Sequence, residues 1–276
     1  MKTSLNDIGD VKLIYMLETP KVPTYQSVKK GEIIAVNGQS AEKDFAYILG
    51  LYFGDAYIKQ IGLNKYEFRL QAIDKDFVEY VAAILTRISE KEIKSRELSR
   101  KTSGGSTVYE VNFCNEYFKR IIDDTNECRF IPDYVFEWPL DLKMAFLSAV
   151  MDSDGYISMR TNGFNYNFNC GYAVTYPWVL DMKRLFESVG IHTKKVTESI
   201  PKPPRKPFYR FGLVLKDMVT TNFKFHAERK QRKLDEYRKR HFPDGEYKRF
   251  THKIKKPNVW KKRRNSQRLH DKTEKG

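Results

Sequence analysis

The sequence has few of the residues that build disulfide-linked, zinc-binding or membrane-spanning proteins. Only three of its 276 residues are cysteines and none stands in a CxxC pair, which argues against a disulfide framework and a zinc knuckle. Its five histidines are scattered along the sequence, without metal-ligand or HNH-type spacing. No apolar run reaches the roughly 18 residues of a membrane span, and the polar N-terminus is unlike a secretory signal. These absences predict a soluble intracellular protein, in the cytoplasm, nucleoid or an organelle matrix.

The charges that are present are unevenly distributed. Lys and Arg number 50 against 35 Asp and Glu, which gives a net charge of +15. Residues 226–276 contain 19 basic and 7 acidic residues, whereas residues 1–225 contain 31 and 28. This balance predicts a polyanionic partner, nucleic acid before an anionic membrane. We expect the segment 226–276 to attract phosphates without regard to sequence; a disordered solubilising tail is the alternative.

Hydrophobic residues make up 41% of the chain, enough for a core, and their periodicity predicts one order of elements twice. Each copy reads helix–strand–strand–helix–strand–strand–helix, over residues 41–139 and 140–225, and two copies indicate a duplicated fold rather than a solenoid. Residues 1–40 are predicted to form an N-terminal extension and residues 226–276 a C-terminal one. The longer helices are predicted over residues 41–55, 75–89, 140–151 and 179–189.

Each copy opens with an apolar helix that ends in an acid and leads into a strand beginning Tyr-Ile. The first segment, residues 48–58, reads ILGLYFGDAYI, and the second, residues 147–157, reads LSAVMDSDGYI. The two acids are Asp55 and Asp154. The same order of helix, acid and strand in both segments indicates that they have a common structural role.

Small residues stand four apart on each of these helices, and this spacing lets two helices approach closely. They are Gly50 and Gly54 in the first segment, and Ala149 and Ser153 in the second. Two such helices side by side would bring their terminal acids together. A carboxylate at a helix C-terminus is electrostatically disfavoured, and two close carboxylates repel, so the pattern indicates a divalent cation that neutralises both. Carboxylates that share Mg²⁺ are a common means of hydrolysing a phosphodiester.

Both segments resemble the LAGLIDADG motif, which names a family of homing endonucleases. The second, residues 147–155, is a close match. The first, residues 48–56, keeps the first glycine and the final acid of the motif, but has Phe53 in place of its first aspartate and Ala56 in place of its last glycine. The resemblance covers residues 41–225.

The resemblance implies an α+β fold of two pseudo-symmetric αββαββα halves in one monomer. The motif helices would form the interface between the halves, and two four-stranded antiparallel sheets would form a saddle over the DNA major groove. It implies that Asp55 and Asp154, with the main-chain carbonyls of Gly54 and Ser153, bind Mg²⁺ or another divalent cation such as Mn²⁺. The implied function is intron homing by cleavage of both strands of a double-stranded DNA target.

Further site residues are expected around the metals and on the sheets. Lys75 and Lys216 follow strands and are the candidates for the basic catalytic residues that the family places near its metals; ordinary solvated lysines are the alternative. Alternation along the strands predicts which side chains face DNA, and asparagine can pair with adenine, although an ordinary polar sheet face is the alternative. The predicted DNA-binding residues are Arg69, Gln71, Asn165, Asn167, Asn169 and Arg210.

Two other functions stay open at this point. One is a maturase that binds intron RNA on the same fold, and the other is a DNA-binding regulator without catalysis. Loss of the motif acids would favour either function, whereas both acids are present in this sequence.

Overall fold

The computed structural model describes residues 41–89, 91–125, 131–160, 163–169, 176–200 and 208–248. For residues 158–160, 163–169 and 176 it describes the backbone alone. The predicted N-terminal extension, residues 1–40, and the last part of the basic C-terminal segment, residues 249–276, lie outside the described residues.

The first half contains one four-stranded antiparallel sheet, and its helices lie on one side of the sheet. The strands are arranged β1-β2-β4-β3. A 3-10 turn, Glu116–Phe118, precedes the last helix. The elements are α1 (Ala41–Phe53), β1 (Tyr57–Gly62), β2 (Lys65–Ala72), α2 (Lys75–Ser89), β3 (Arg96–Lys101), β4 (Thr107–Cys114) and α3 (Lys119–Thr125).

The second half repeats this order after the short connecting helix α4 (Asp133–Glu137). Its sheet has the equivalent strand order, β5-β6-β8-β7. The prediction of a duplicated αββαββα fold is therefore confirmed. The elements are α5 (Leu140–Ser153), β5 (Gly155–Arg160), β6 (Gly163–Asn169), α6 (Tyr176–Ser188), β7 (Thr197–Ser199), β8 (Phe208–Phe211) and α7 (Leu215–Thr220).

One further helix, α8 (Glu228–His241), follows the second half and packs onto the body of the protein. Lys230, Leu234 and Tyr237 are buried on it, with 4%, 0% and 8% of their surface exposed. The sequence prediction of a C-terminal extension from residue 226 did not anticipate this packing. The reason is that α8 is almost entirely polar, so its buried face consists of a few residues at helical spacing.

The helices that carry the motif segments, α1 and α5, form the centre of the molecule and are called the motif helices below. Almost every residue of α1 is buried, and the small residues predicted to allow a close approach lie at the contact. A Cβ atom added to Gly50 would overlap the Phe146 carbonyl oxygen and lie 2.8 Å from Ala149 Cβ. The contacts advance along both helices in the same direction, so the motif helices run parallel.

Burial along β2 confirms the predicted alternation of its side chains. Tyr66, Phe68 and Leu70 are buried against the helices, while Arg69 and Gln71 lie on the opposite face and are half-buried. None of the helices in the described ranges combines the length and apolar character that a membrane crossing needs.

We expect Gly50→Ala to destabilise the protein by about 1–3 kcal/mol, because the new methyl group meets a main-chain oxygen of the other motif helix and the helices must separate. Gly104→Ala is the matched control, since a Cβ atom in this turn would lie 3.8 Å from its nearest neighbour and should change stability by less than about 0.5 kcal/mol. Denaturant unfolding of both variants measures the difference. Equal stability of the two variants would contradict the close contact.

Candidate active site

Asp55 and Asp154 lie at the ends of the two motif helices, Asp55 two residues after α1 and Asp154 directly after α5. Asp55 is exposed and follows the end of α1, whereas Asp154 is half-buried and caps α5, with its N–H donating to the Val150 carbonyl oxygen at 2.9 Å. The residues that precede the two acids, Gly54 and Ser153, contact each other, since a Cβ atom on Gly54 would overlap Ser153 Oγ. Both acids therefore lie at the same end of the helix pair, where each half begins its first strand.

Asp152, which occupies the first aspartate position of the second motif, is buried and accepts hydrogen bonds from three residues. Tyr47 Oη on α1 donates at 2.8 Å. The main-chain N–H groups of His226 and Ala227 donate at 2.9 and 3.1 Å. Burial, followed by the charge of Asp152, raises the pKa of the Tyr47 phenol well above its usual value, so the phenol stays a donor. One carboxylate thus joins α1, α5 and the turn that begins α8.

Lys230 on α8 places a positive charge against the carboxyl end of α5. Its Nζ donates to the carbonyl oxygens of Met151, Asp152 and Ser153 at 2.8, 2.5 and 3.1 Å. These carbonyls belong to the last turn of α5, where helices in general leave carbonyl groups for other partners, and a cation there offsets the negative end of the helix dipole. Burial lowers the pKa of the Lys230 ammonium to about 8, with Asp152 opposing this effect and Arg229 adding to it.

Residues of the first half also contact helix α8. Arg229 donates from Nε and Nη2 to the two carboxylate oxygens of Asp74, at 2.8 Å each. Asp76 accepts a hydrogen bond from the first N–H of α8, and the His226 ring stacks on Tyr80 with the ring centres 3.8 Å apart. Helix α8 therefore bridges the two halves at the end of the molecule that carries the motif acids.

The two lysines predicted to be catalytic make other contacts. Lys75 begins α2 and its Nζ lies 3.3 Å from Glu79 Oε1 on the next turn. Lys216 lies on α7 with its Nζ 5.0 Å from the centre of the Tyr247 ring. Neither of these contacts involves a motif helix, so a catalytic role for either lysine stays a prediction. Lys230 lies at the carboxyl end of α5, near the motif acids, and sequence reasoning missed it.

A weak signal for Lys230 is present in the sequence. Lys230, Leu234 and Tyr237 are spaced by four and three residues, which is the spacing of one helix face. A lysine at the first of these positions makes the buried face hard to recognise from the sequence, because lysine is almost never fully buried unless its charge is paired. The three carbonyls that end α5 explain its burial.

The predicted DNA-binding residues lie on the two sheets. Arg69 and Gln71 lie side by side on the outer face of the first sheet, and Arg210 is exposed on β8, with its Nε 3.4 Å from Thr197 Oγ1. The other predicted residues lie on β6, where the backbone alone is described: Asn165, Asn167 and Asn169. Their contact with DNA bases stays a prediction.

The donor groups at the end of the motif helices fit a hard divalent cation. Asp55 and Asp154 supply carboxylates, and Gly54 and Ser153 precede them with main-chain carbonyls. Oxygen donors of this kind suit Mg²⁺, Mn²⁺ and Ca²⁺. Within the described ranges no three His, Cys, Asp or Glu side chains form a cluster that could hold a metal by themselves. Mg²⁺ commonly binds one or two carboxylates and completes its shell with substrate phosphates and water.

We expect Asp152→Asn to destabilise the protein by about 3 kcal/mol. The new amide nitrogen would face N–H groups that now donate to a carboxylate oxygen, so a hydrogen bond to a charged group is lost. The matched control is Asp123→Asn, which removes an exposed carboxylate paired with Lys119 at 2.5 Å and should cost less than about 0.5 kcal/mol. Thermal or denaturant unfolding compares the two. A stability for Asp152→Asn close to the control would show that this carboxylate does not anchor α8.

The chain was compared with protein families, curated proteins and solved structures, and no protein-family model matches it. An uncharacterized protein from Methanocaldococcus jannaschii is 28% identical over 206 residues, which is 71% of each chain. Similar solved structures include variants of the homing endonuclease I-DmoI, at 14% identity, 65% and 92% coverage of the two chains and a TM-score of 0.44. The homing endonuclease I-WcaI bound to its DNA recognition sequence is 15% identical, with 62% and 75% coverage of the two chains and a TM-score of 0.41. The N-terminal LAGLIDADG domain of WhiA is 12% identical, with 69% and 84% coverage and a TM-score of 0.42. The paired motif segments of the chain resemble the LAGLIDADG motif, and the chain has the duplicated αββαββα fold.

Proposed function

We propose that the chain is a site-specific DNA endonuclease that uses Asp55 and Asp154 to hold Mg²⁺ and cuts both strands of its target. The observation that carries the proposal is the contact of Gly54 with Ser153, because it puts the next residue of each motif, an acid, at the same end of the helix pair. Two unrelated carboxylates would have no reason to end parallel helices at one place, where neither helix dipole favours them.

The residues of this chain prepare the site in three ways. The carboxylates of Asp55 and Asp154 would hold the cation together with the main-chain carbonyl of Gly54, since the carbonyl of Ser153 accepts a hydrogen bond from Lys230. Lys230 holds the carbonyl of Ser153 and so fixes the end of α5. A bound divalent cation supplies Lewis-acid stabilisation of the phosphate and activates the attacking water. The acids themselves take no proton in this scheme, since their role is to bind metal.

The substrate is proposed to be double-stranded DNA that lies along the outer faces of the two sheets. Each motif acid is followed within two residues by the first strand of its sheet, so a duplex on the sheets would pass the ends of the motif helices. Both acids come from one chain, which supports action as a monomer. Homing of an intron is the biological setting that this activity fits.

A DNA-binding protein without catalysis is the second candidate, and the position of Lys230 favours it. Its ammonium already places a positive charge at the end of α5 and donates a hydrogen bond to the carbonyl oxygen of Ser153. The acids in such a protein would need no metal to offset the helix dipole. Cleavage by the wild-type chain separates the two candidates.

We expect Asp55→Asn and Asp154→Asn to abolish cleavage of a plasmid library by the purified protein in Mg²⁺, while binding to the selected target is retained. The reason is that each amide loses the charge that holds the cation, whereas neither residue lies on a sheet face. Cleavage that survives both substitutions would exclude these carboxylates as the metal ligands. A wild-type protein that binds DNA or intron RNA and never cuts DNA would favour a regulator or a maturase.

We expect removal of residues 249–276 to weaken DNA binding and flatten its dependence on salt, without a change in the sequence that is cut. This segment holds 11 basic and 2 acidic residues, and phosphate contacts set the salt slope rather than the base preference. Truncation at 226 would instead remove α8. The measurement is the affinity for target DNA across a salt series. A changed cleavage sequence with an unchanged salt slope would contradict this role.

A further inference from the structure

An acid lies at the centre of the outer face of the first sheet, among basic residues. Glu110 is on β4 and only 3% of its side chain is exposed. In the strand register, Glu110 stands opposite Gln71 of β2 on one side and opposite Arg96 of β3 on the other. Its carboxylate is therefore enclosed by side chains from both neighbouring strands.

The contacts of Glu110 order a set of side chains across three strands. Arg96 donates to Glu110 Oε1 from Nε at 3.0 Å and from Nη2 at 2.5 Å. Gln71 donates to Oε2 and in turn accepts a hydrogen bond from Arg100. Arg69 lies farther from this carboxylate, with its Nε 3.9 Å from Oε2, and it donates instead to Glu67 Oε1 at 2.5 Å.

This pairing is unsuited to phosphate binding and well suited to base recognition. A carboxylate among arginines reduces their attraction for phosphates, on which non-specific DNA binding depends. Burial by itself raises the pKa of the Glu110 carboxyl, but hydrogen bonds from Gln71 and Arg96 hold it below its usual range, so the negative charge persists.

Arg96 keeps donors for a ligand. Its side chain is 63% exposed, and it turns its Nε and Nη2 side to Glu110. A guanidinium that is already held in place loses less conformational entropy on binding. The matching partner in the major groove is guanine, whose O6 and N7 accept two hydrogen bonds from one arginine.

We propose that Glu110 is a specificity-determining positioning residue, which fixes Arg96 for the recognition of guanine in the DNA major groove. This inference rests on the proposed DNA-binding function and names a base that the first sheet selects. Glu110 itself would not touch DNA, since its carboxylate is buried and bound to Arg96 and Gln71.

The test is selection of bound sequences from a random DNA library by three full-length proteins: the wild type, Glu110→Gln and the control Glu97→Gln. Glu97 is an exposed acid on β3 that follows Arg96 and stands opposite Tyr109 in the register, so its substitution removes the same charge from the other face of the sheet and leaves the Arg96 contact in place. The wild type should select guanine at a position in one half of its site. Glu110→Gln should reduce discrimination for this guanine about tenfold, which is the scale of one bidentate contact, with little change in the salt slope. Glu97→Gln should leave the selected sequence unchanged.

Substitution of Arg96 keeps the test decisive if Glu110→Gln does not fold. Arg96→Met alters an exposed side chain and should remove the guanine preference at one position. In that background, adding Glu110→Gln should have no further effect at that position. A Glu110→Gln protein, or the Arg96→Met variant in its place, that selects the wild-type sequence would overturn the inference and leave the proposed function standing. A uniform gain in affinity with a steeper salt slope would also overturn it, because Glu110 would then only repel phosphates. A wild type that selects no DNA sequence would reject the proposed function as well.

Discussion

The close contact between the motif helices at Gly54 and Ser153 is the constraint on which the rest of the structure depends. Residues with larger side chains at these positions would separate the helices, and the acids that follow would lose their shared position. The contact also sets the relative placement of the two sheets, because each motif helix leads directly into the first strand of its own half. Packing and chemistry therefore use the same few residues.

Helix α8 secures this arrangement through charges rather than apolar area. Asp152 of the second half and Asp76 of the first half both accept hydrogen bonds from N–H groups at its start. Lys230 fills the carboxyl end of α5, and Arg229 pairs with Asp74 of the first half. A helix N-terminus favours carboxylates and a helix C-terminus favours a cation, so each of these contacts has the favourable sign. The basic C-terminal segment thus has two parts, one that belongs to the scaffold and one that the sequence assigns to phosphate attraction.

The sequence predicted the features that depend on neighbours along the chain. The duplicated order of elements, the motif helices and the buried alternation of β2 follow from local periodicity and small-residue spacing. The contacts of Lys230 and Asp152 were missed because they join residues far apart in sequence, and no local pattern distinguishes a lysine that caps another helix from a solvated one. The same limit applies to Glu110, since a lone acid in a strand gives no sign that two neighbouring strands place arginine and glutamine around it.

The central claim is that Asp55 and Asp154 together hold divalent cations at the end of the motif helices. Calorimetric titration of Mn²⁺ into the protein bound to a target DNA that resists cleavage tests this claim without reliance on activity. The account predicts that Asp55→Asn and Asp154→Asn each weaken Mn²⁺ binding by at least about tenfold, while DNA affinity without metal is retained. Wild-type Mn²⁺ affinity in both variants would contradict the account.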